Sequence, residues 1–198
     1  VTYEPEQSTA LGNGFRCGFL GLLHLDIVQE RLEREFDLDL IVTAPSVSYK
    51  VNLSDNTQET ISNPSLLPDP ARIDAVLEPW VKAEILVPND YVGAVLELCQ
   101  DKRGIQKDIQ YLAKDRVMIV NELPLANIVV DFYDKLKTVT SGYASFSYDF
   151  LEFRIENLVK LDILIAGSKV DAFSCIIHRT EAQNFGSKLV KKLKKLIP

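Results

Sequence analysis

Residues 80–155 carry a regular succession of strand-like and helix-like patterns that strongly limits the fold. Apolar and polar residues alternate along residues 81–87, and a second alternation of Phe146, Tyr148 and Phe150 closes the run. Between them lie an amphipathic helix, two strands joined by a turn at residues 113–116, and a second amphipathic helix. The order β-α-β-β-α-β in about 75 residues predicts a complete split βαβ, or ferredoxin-like, domain.

The ends of these elements carry their own signals. We expect strands over residues 81–87, 105–111, 117–123 and 144–155. Asn89 predicts the N-cap of the first helix, and Gly104 predicts its C-terminal stop. Pro124 suits the first position of the second helix, whose apolar face includes Phe132 and Leu136.

The first 51 residues predict an incomplete domain of the same kind. Residues 1–6 and 14–20 read as strands, the helix that follows places Leu25, Val28, Leu32 and Phe36 on one apolar face, and residues 38–42 read as a strand. Residues 47–51 either continue that strand along an edge or form a new one, because Pro45 interrupts the ladder. The order β-β-α-β lacks an opening β-α, so one sheet edge should be unpaired and one face uncovered.

Two further segments complete the expected organisation. Residues 52–79 are rich in Asn, Asp, Ser and Pro, which predicts a linker with one helical turn near residues 71–77. After residue 156 we expect a strand over residues 158–165, a turn at Gly167, a strand over residues 172–177 and a final helix. The fold class is therefore α+β, with two ferredoxin-like α/β sandwich domains, the first incomplete, and a β-β-α segment.

Charge is distributed unevenly along the chain. The net charge is −6, yet residues 186–198 contain five lysines and no acid, which leaves −11 on the first 187 residues. A lysine-rich amphipathic helix is compatible with a solvated surface, with RNA phosphates, or with an anionic membrane surface. No apolar run approaches the roughly 20 residues of a membrane span, and no leader peptide opens the chain.

No arrangement typical of catalysis or metal binding is found in the sequence. The glycines at positions 12, 14 and 18 do not have dinucleotide-binding spacing, and no phosphate-binding P-loop occurs. Cys17, Cys99 and Cys175 are widely separated among apolar neighbours, which predicts buried, reduced thiols of a cytosolic protein. We therefore expect no catalytic residue, no metal and no cofactor in this chain.

Several motifs closely resemble one protein family across the whole chain. They are Gly14–His24 (GFRCGFLGLLH), Gln29–Glu35 (QERLERE), Glu122–Ala126 (ELPLA), Gly142–Phe146 (GYASF), Leu158–Leu164 (LVKLDIL) and His178-Arg179. They resemble the LepA family of translational GTPases, elongation factor 4. The related helix of elongation factor G and BipA follows Gly-Glu-Leu-His instead, so the Arg16-to-Gly21 form is the more specific signal.

The resemblance implies a piece of a larger protein. Residues 1–51 would be part of domain III, 52–79 a linker, 80–155 domain V, and 156–198 the start of the C-terminal domain. GTP and Mg²⁺ would bind to a domain outside this chain, which would have no small-molecule substrate of its own. The family resemblance implies a cytoplasmic factor with peripheral association at the inner face of the cell membrane. It implies ribosomal RNA, ribosomal proteins and tRNA as partners, and back-translocation of tRNA as the activity.

The same resemblance leads us to expect particular contacts. His24 would relay the state of the GTPase through domain III. The expected ribosome contacts are Arg16, Lys102, Arg103, Arg179, Lys188, Lys191, Lys192, Lys194 and Lys195. The alternative is a stand-alone ferredoxin-like module that binds a small regulatory ligand or dimerises through its sheet.

Overall fold

The computed structural model describes residues 1–8, 11–20, 22–43, 45–113 and 115–196. They form two compact units, one of residues 1–44 with 159–198 and the other of residues 45–158. The strands are β1 (Thr2–Ser8), β2 (Gly12–Gly18), β3 (Tyr49–Leu53), β4 (Gln58–Ile61), β5 (Ile73–Pro88), β6 (Ile105–Ala113), β7 (Arg116–Pro124), β8 (Ser145–Ile155), β9 (Leu158–Ile165) and β10 (Ser168–His178). The α-helices are α1 (Leu22–Phe36), α2 (Val92–Asp101), α3 (Phe132–Val139) and α4 (Arg179–Leu196).

The unit of residues 45–158 contains the complete ferredoxin-like domain that the sequence predicts. β5 is its central strand: Ile85 pairs antiparallel with Ile119 of β7 on one side and with Phe146 of β8 on the other. β6 pairs with β7, so the four strands lie in the order β6-β7-β5-β8. α2 connects β5 to β6 and α3 connects β7 to β8. The predicted α+β class is confirmed.

One face of this sheet and the two helices enclose the core. Ala83, Ile85 and Val87 of β5 are fully buried, as alternate residues of a strand with one covered face should be. From the helix side, Phe132 and Leu136 of α3 are also fully buried. Because the buried positions recur with period two on β5 and with helical spacing on α3, the binary pattern of the sequence specifies this packing.

Both helices begin later than predicted. Asn89 starts a 3₁₀ turn (Asn89–Tyr91) rather than capping α2, which begins at Val92. Pro124 ends β7 instead of opening a helix, because its ψ of 129° is extended and it pairs with Trp80. A 3₁₀ turn (Leu125–Asn127) follows, and α3 begins only at Phe132.

Residues 52–79 contain regular structure where loops were predicted. β3 pairs with β4 and also with the first residues of β5, so both strands extend the sheet. The predicted helical turn near residues 71–77 is wrong, since a 3₁₀ turn ends at Arg72 and β5 begins at Ile73. The side chain of Asp69 accepts a hydrogen bond from the N–H of Ala71 at 2.9 Å and thereby caps that short turn. The predicted domain boundaries remain a prediction.

In the other unit, the two predicted strands are present as β1 and β2, and they pair antiparallel as a hairpin in which Thr2 lies opposite Gly18. The predicted α1 is also confirmed, but the strand predicted over residues 38–42 is not formed. Ile41 has 75% of its surface exposed. No described strand lies beside this segment to accept its backbone hydrogen bonds, and apolar alternation alone does not make a strand. The segment near residues 47–51 is the separate strand β3.

Residues 158–196 form the predicted β-β-α segment. β9 and β10 make a two-stranded sheet, and the turn between them holds Ala166 and Gly167 at φ angles of +50° and +83°. β10 is longer than predicted because it begins at Ser168. α4 follows it directly at Arg179. Among the described residues, no helix is both long and apolar enough to span a bilayer.

Candidate nucleic-acid interface

Helix α4 presents a continuous basic face. At 100° per residue, its five lysines occupy an arc of about 160°. They are Lys188, Lys191, Lys192, Lys194 and Lys195, and all are exposed. The opposite side is half-buried, and the position of a Cβ on Gly186 would lie 3.7 Å from Leu161 of β9. The helix therefore rests on the β9-β10 sheet with its lysines pointing to solvent.

The described residues do not neutralise the lysines of this face. No described residue forms an ion pair or a side-chain hydrogen bond with any of the five. The last acid of α4 is Glu181, at the first turn, where a carboxylate complements the helix dipole. A row of unpaired ammonium groups on a rigid helix provides the charge density that phosphate backbones bind.

Arg179 stands at the start of the same helix. Its side chain is exposed, and no described residue forms an ion pair with it. Its neighbour His178 lies 2.7 Å from the hydroxyl of Thr180, measured from Nδ1 to Oγ1, so this pair fixes the first turn. Arg179 is therefore available for phosphate contact, one helix length from the lysines at the far end.

Lys102 and Arg103 lie elsewhere, in the ferredoxin-like unit, and both are engaged inside it. Arg103 Nη2 lies 2.5 Å from Oε1 of Glu78 and 3.4 Å from Oε2 of Glu156, and only 16% of its side chain is exposed. Lys102 Nζ lies 2.5 Å from Oδ1 of Asp131. Both cations thus have carboxylate partners within their own unit, and their contact with the ribosome stays a prediction.

Arg16 and His24 also have identified local partners. Arg16 Nη2 lies 3.0 Å from Oε1 of Glu6 across the β1-β2 hairpin. His24 Nδ1 accepts a hydrogen bond from the N–H of Leu20 at 3.2 Å, which requires a neutral ring, and its ring packs edge-on against Phe19. His24 thus ties the first turn of α1 to the incoming chain, and its relay role remains a prediction.

A partly buried ionic network lies on the sheet face opposite the core, and sequence reasoning missed it. Arg154 of β8 lies 2.7 Å from Glu122 of β7 and 4.6 Å from the ring centre of Trp80. Lys107 also contacts Glu122, at 3.2 Å. Burial raises the pKa of Glu122, but hydrogen bonds from Arg154 and Lys107 outweigh it and lower that pKa. The only sign of it in the sequence was that alternate residues of these strands are polar.

The cysteines differ from the prediction that all three are buried. Cys99 is buried in the ferredoxin-like core, and burial raises the pKa of its thiol to about 12. Cys175 is half-buried, and burial followed by the nearby Asp162 raises its pKa to about 11. Cys17 is exposed, although it lines the same open space as Val28 and Leu32 of α1. No group of three or more potential metal ligands occurs among those residues.

Comparison with known proteins places these features in a family. The family profile described as "Elongation factor G C-terminus" matches residues 75–164, the span from β5 into β9. Proteins named elongation factor 4 align over nearly the whole chain. Those of Geobacillus thermodenitrificans, Anoxybacillus flavithermus and Parasynechococcus marenigrum are 59%, 60% and 56% identical over 99%, 100% and 100% of it.

The chain spans about a third of the length of these relatives, namely 32%, 33% and 33%. The alignments therefore span the β1-β2-α1 segment, the ferredoxin-like unit and the lysine-bearing helix. The resemblance that the sequence motifs indicated is therefore confirmed: nearly the whole chain aligns with about a third of the length of elongation factor 4 (LepA) proteins.

Proposed function

We propose that this chain is the ribosome-docking part of a LepA-type translational GTPase. The lysine face of α4, together with Arg179, would bind phosphates of ribosomal RNA or tRNA. The observation that carries this proposal is the row of five exposed lysines without a partner among the described residues. Since each lysine that neutralises a phosphate releases counterions, such binding is strong at low salt and weakens steeply as salt is added.

The whole protein, in this proposal, promotes back-translocation of tRNAs and the fidelity of protein synthesis. GTP hydrolysis, with GTP and Mg²⁺, takes place in a part of the protein outside this chain. The relatives' name as elongation factors supports this assignment. Residues 1–51 would pass the state of the GTPase to the ferredoxin-like domain, with His24 holding the start of α1 in place.

The protein would be cytoplasmic, and the same helix supports peripheral association with the inner face of the cell membrane. Phe185 and Leu196 are 44% and 78% exposed. They border the lysine face on one side, as in helices that lie on anionic bilayers. RNA phosphates remain the primary partner in the proposal, because six of the thirteen exposed residues of α4 are basic and only three are large and apolar.

Replacement of the five lysines of α4 by glutamine in the full-length protein tests the docking role. Dissociation constants for 70S ribosomes would be measured from 50 to 300 mM salt. If all five lysines touch phosphate, the slope of log K against log salt decreases in magnitude by about 3.5 to 4.5. The control is the double variant Lys82→Gln/Lys135→Gln, which removes two exposed lysines with carboxylate partners. Its slope should equal that of the wild type.

An unchanged slope in the five-lysine variant contradicts the RNA contact. Absence of any salt-sensitive ribosome binding by the wild type contradicts the docking role as a whole and favours a stand-alone regulatory or dimerising module. Cosedimentation of the same proteins with phosphatidylglycerol vesicles distinguishes membrane binding from RNA binding. Vesicle binding that is unchanged by the substitutions would show that the lysines of α4 do not bind the membrane.

A further inference from the structure

Strand β8 forms an open edge of the ferredoxin-like sheet. It pairs with β5 from Ser145 to Ile155, and none of the described residues pairs with its other edge. An open edge presents a row of unpaired N–H and C=O groups, which is the surface to which an additional strand can be added. Natural proteins block such edges with bulges, charges or covering segments, so the details of β8 decide whether it is accessible.

A six-residue part of β8 has regular geometry. The pairing shifts between Trp80 and Val81, which lie opposite Glu152 and Phe150, so Leu151 is a bulged residue. The segment from Ser145 to Phe150 lies before this bulge and pairs with β5 without interruption. It is long enough to accept a short additional strand, because most strands in proteins have about five or six residues.

The opposite edge strand, β6, does not offer such a segment. Its pairing with β7 shifts twice, between Gln106 and Asp108 and again between Tyr111 and Ala113. Four residues of regular pairing remain between these shifts. Bulges are a common protection of sheet edges. β8 is therefore the more accessible edge for a partner strand.

The two faces of the regular segment of β8 differ sharply in chemistry. Phe146, Tyr148 and Phe150 lie opposite the core residues Ile85, Ala83 and Val81 and thus point to the helix-covered side. Phe146 is covered by α3, with its ring centre 5.1 Å from that of Phe132. The helices do not cover the other two aromatic residues: Tyr148 is 45% exposed and Phe150 is 60% exposed.

The other face of this segment is polar and carries negative charge. Ser145, Ser147 and Asp149 occupy it, and Glu152, with 54% of its side chain exposed, follows beyond the bulge. Asp149 forms no ion pair with a described residue, although Lys82, which lies opposite it on β5 and pairs with Glu84, interacts with it electrostatically. The unit of residues 45–158 contains 17 acidic and 11 basic residues. A second copy of the chain would bring the same charges to this edge, whereas a basic partner complements them.

We propose that the Ser145–Phe150 edge of β8 binds an extended strand of a basic protein partner. Apolar side chains of that strand cover Tyr148 and Phe150, and alternate lysine or arginine side chains lie beside Asp149. The backbone hydrogen bonds hold the strand, and the alternation of the two side-chain types fixes its register. This interaction is independent of the lysine face of α4.

A peptide of alternating lysine and valine, ten residues long with blocked ends, is the probe. Hydrogen exchange of the complete chain is measured by mass spectrometry as the peptide is added. We expect saturable protection confined to Ser145–Phe150. A peptide with the same ten residues arranged as a lysine block and a valine block is the composition control. A peptide with proline replacing the central valine removes one backbone donor. Neither should protect β8.

Two variants test the two faces separately. Phe150→Thr should weaken the affinity for the alternating peptide about tenfold, as loss of an aromatic contact at an interface does. Asp149→Lys should weaken it about fivefold through charge repulsion. The matched control is Tyr111→Thr on β6, where the ring is 72% exposed, and it should leave the affinity unchanged. Circular dichroism of each variant, expected to match the wild type, accompanies the titrations.

Three results would overturn the proposal. The first is equal binding of the block peptide or the proline peptide, which would indicate charge attraction without strand pairing. The second is protection of β6 in place of β8. The third is protection of β8 that rises with protein concentration in the absence of peptide, which would identify a second copy of the chain as the occupant.

Discussion

Gly104 occupies a position where the chain turns from α2 into β6 with no room for a side chain. A Cβ there would lie 2.6 Å from the backbone oxygen of Cys99 and 2.8 Å from Cδ2 of Leu123. The N–H of Gly104 also donates to that oxygen at 2.7 Å, which holds the turn close. The preceding residue, Arg103, adopts a φ of +62°, so here the arginine takes the left-handed conformation.

Gly104→Ala should therefore destabilise the ferredoxin-like unit by about 1–3 kcal/mol, since backbone and a core leucine must both move. The measurement is urea unfolding followed by the fluorescence of Trp80, the single tryptophan of the chain. Gly93→Ala is the matched control in α2, because no atom lies within 4 Å of its Cβ position. It should stabilise the unit by about 0.5–1 kcal/mol. Equal effects of the two substitutions would contradict the steric argument.

At the scale of elements, the ionic network across β7 and β8 makes stability depend on pH. The pKa of Glu122 lies below the ordinary 4.5 in the folded chain, because hydrogen bonds from Arg154 and Lys107 outweigh the raising effect of burial. The folded state therefore binds fewer protons at this site than the unfolded state. The resulting stabilisation is complete above pH 4.5 and is lost as the pH falls through the lowered pKa.

Arg154→Gln should reduce this dependence. The free energy of unfolding, measured between pH 6 and pH 3, should fall less steeply with acid in the variant than in the wild type. Arg34→Gln provides the control, since Arg34 pairs with Glu30 on the exposed surface of α1, where the two side chains are 76% and 64% exposed. Its pH dependence should match the wild type. A variant at Arg154 that retains the full acid slope would contradict the role of Arg154 in lowering the pKa of Glu122.

Sequence patterns predicted the ferredoxin-like strands because each has a core side and a polar side. They failed at residues 38–42, where apolar alternation is present but the described structure offers no adjacent strand. They also failed at Ile73, because Pro70 and Asp69 signalled a loop and β5 begins directly afterwards. Local signals mark turns well, but they do not report which partner strand is available.

The candidate interface was likewise predictable only in part. The lysines of α4 lie on a solvent-facing arc that helical spacing alone defines, so they could be named from sequence. The ion pair of Arg103 could not be predicted from helical spacing, because its partner Glu78 is 25 positions away on β5. Arg154 was missed for the same reason, since its contact with Glu122 joins residues 32 positions apart. Long-range ion pairs depend on strand register, which composition does not encode.

At the scale of the whole molecule, the three thiols report on different regions. Cys17 is exposed in the unit of residues 1–44 and 159–198, Cys175 is half-buried in the same unit, and Cys99 is buried in the other. Under native conditions, N-ethylmaleimide should label Cys17 first and Cys175 more slowly. Cys99 should react only when its unit unfolds, because burial raises its pKa to about 12 and the thiolate is the reactive form.

Labelling is followed by peptide mass mapping at increasing urea concentrations. All three cysteines should react at similar rates once the chain is fully unfolded, which serves as the internal control. Rapid modification of Cys99 in native buffer would contradict the packing of α2 against the sheet. Slow modification of Cys17 would contradict the exposure of the β1-β2 hairpin.

The length of β5 also limits how this part of the chain could be exchanged between proteins. Its sixteen residues pair with β3 at one end, with β7 at the other, and with β8 along most of its length. A chimera joined at residue 80 would keep Arg103 but lose Glu78, leaving a cation that is 16% exposed without its closest carboxylate. Because β3 begins at Tyr49 and pairs with β5, a segment that keeps these strands together in a homologue would have to start before Tyr49.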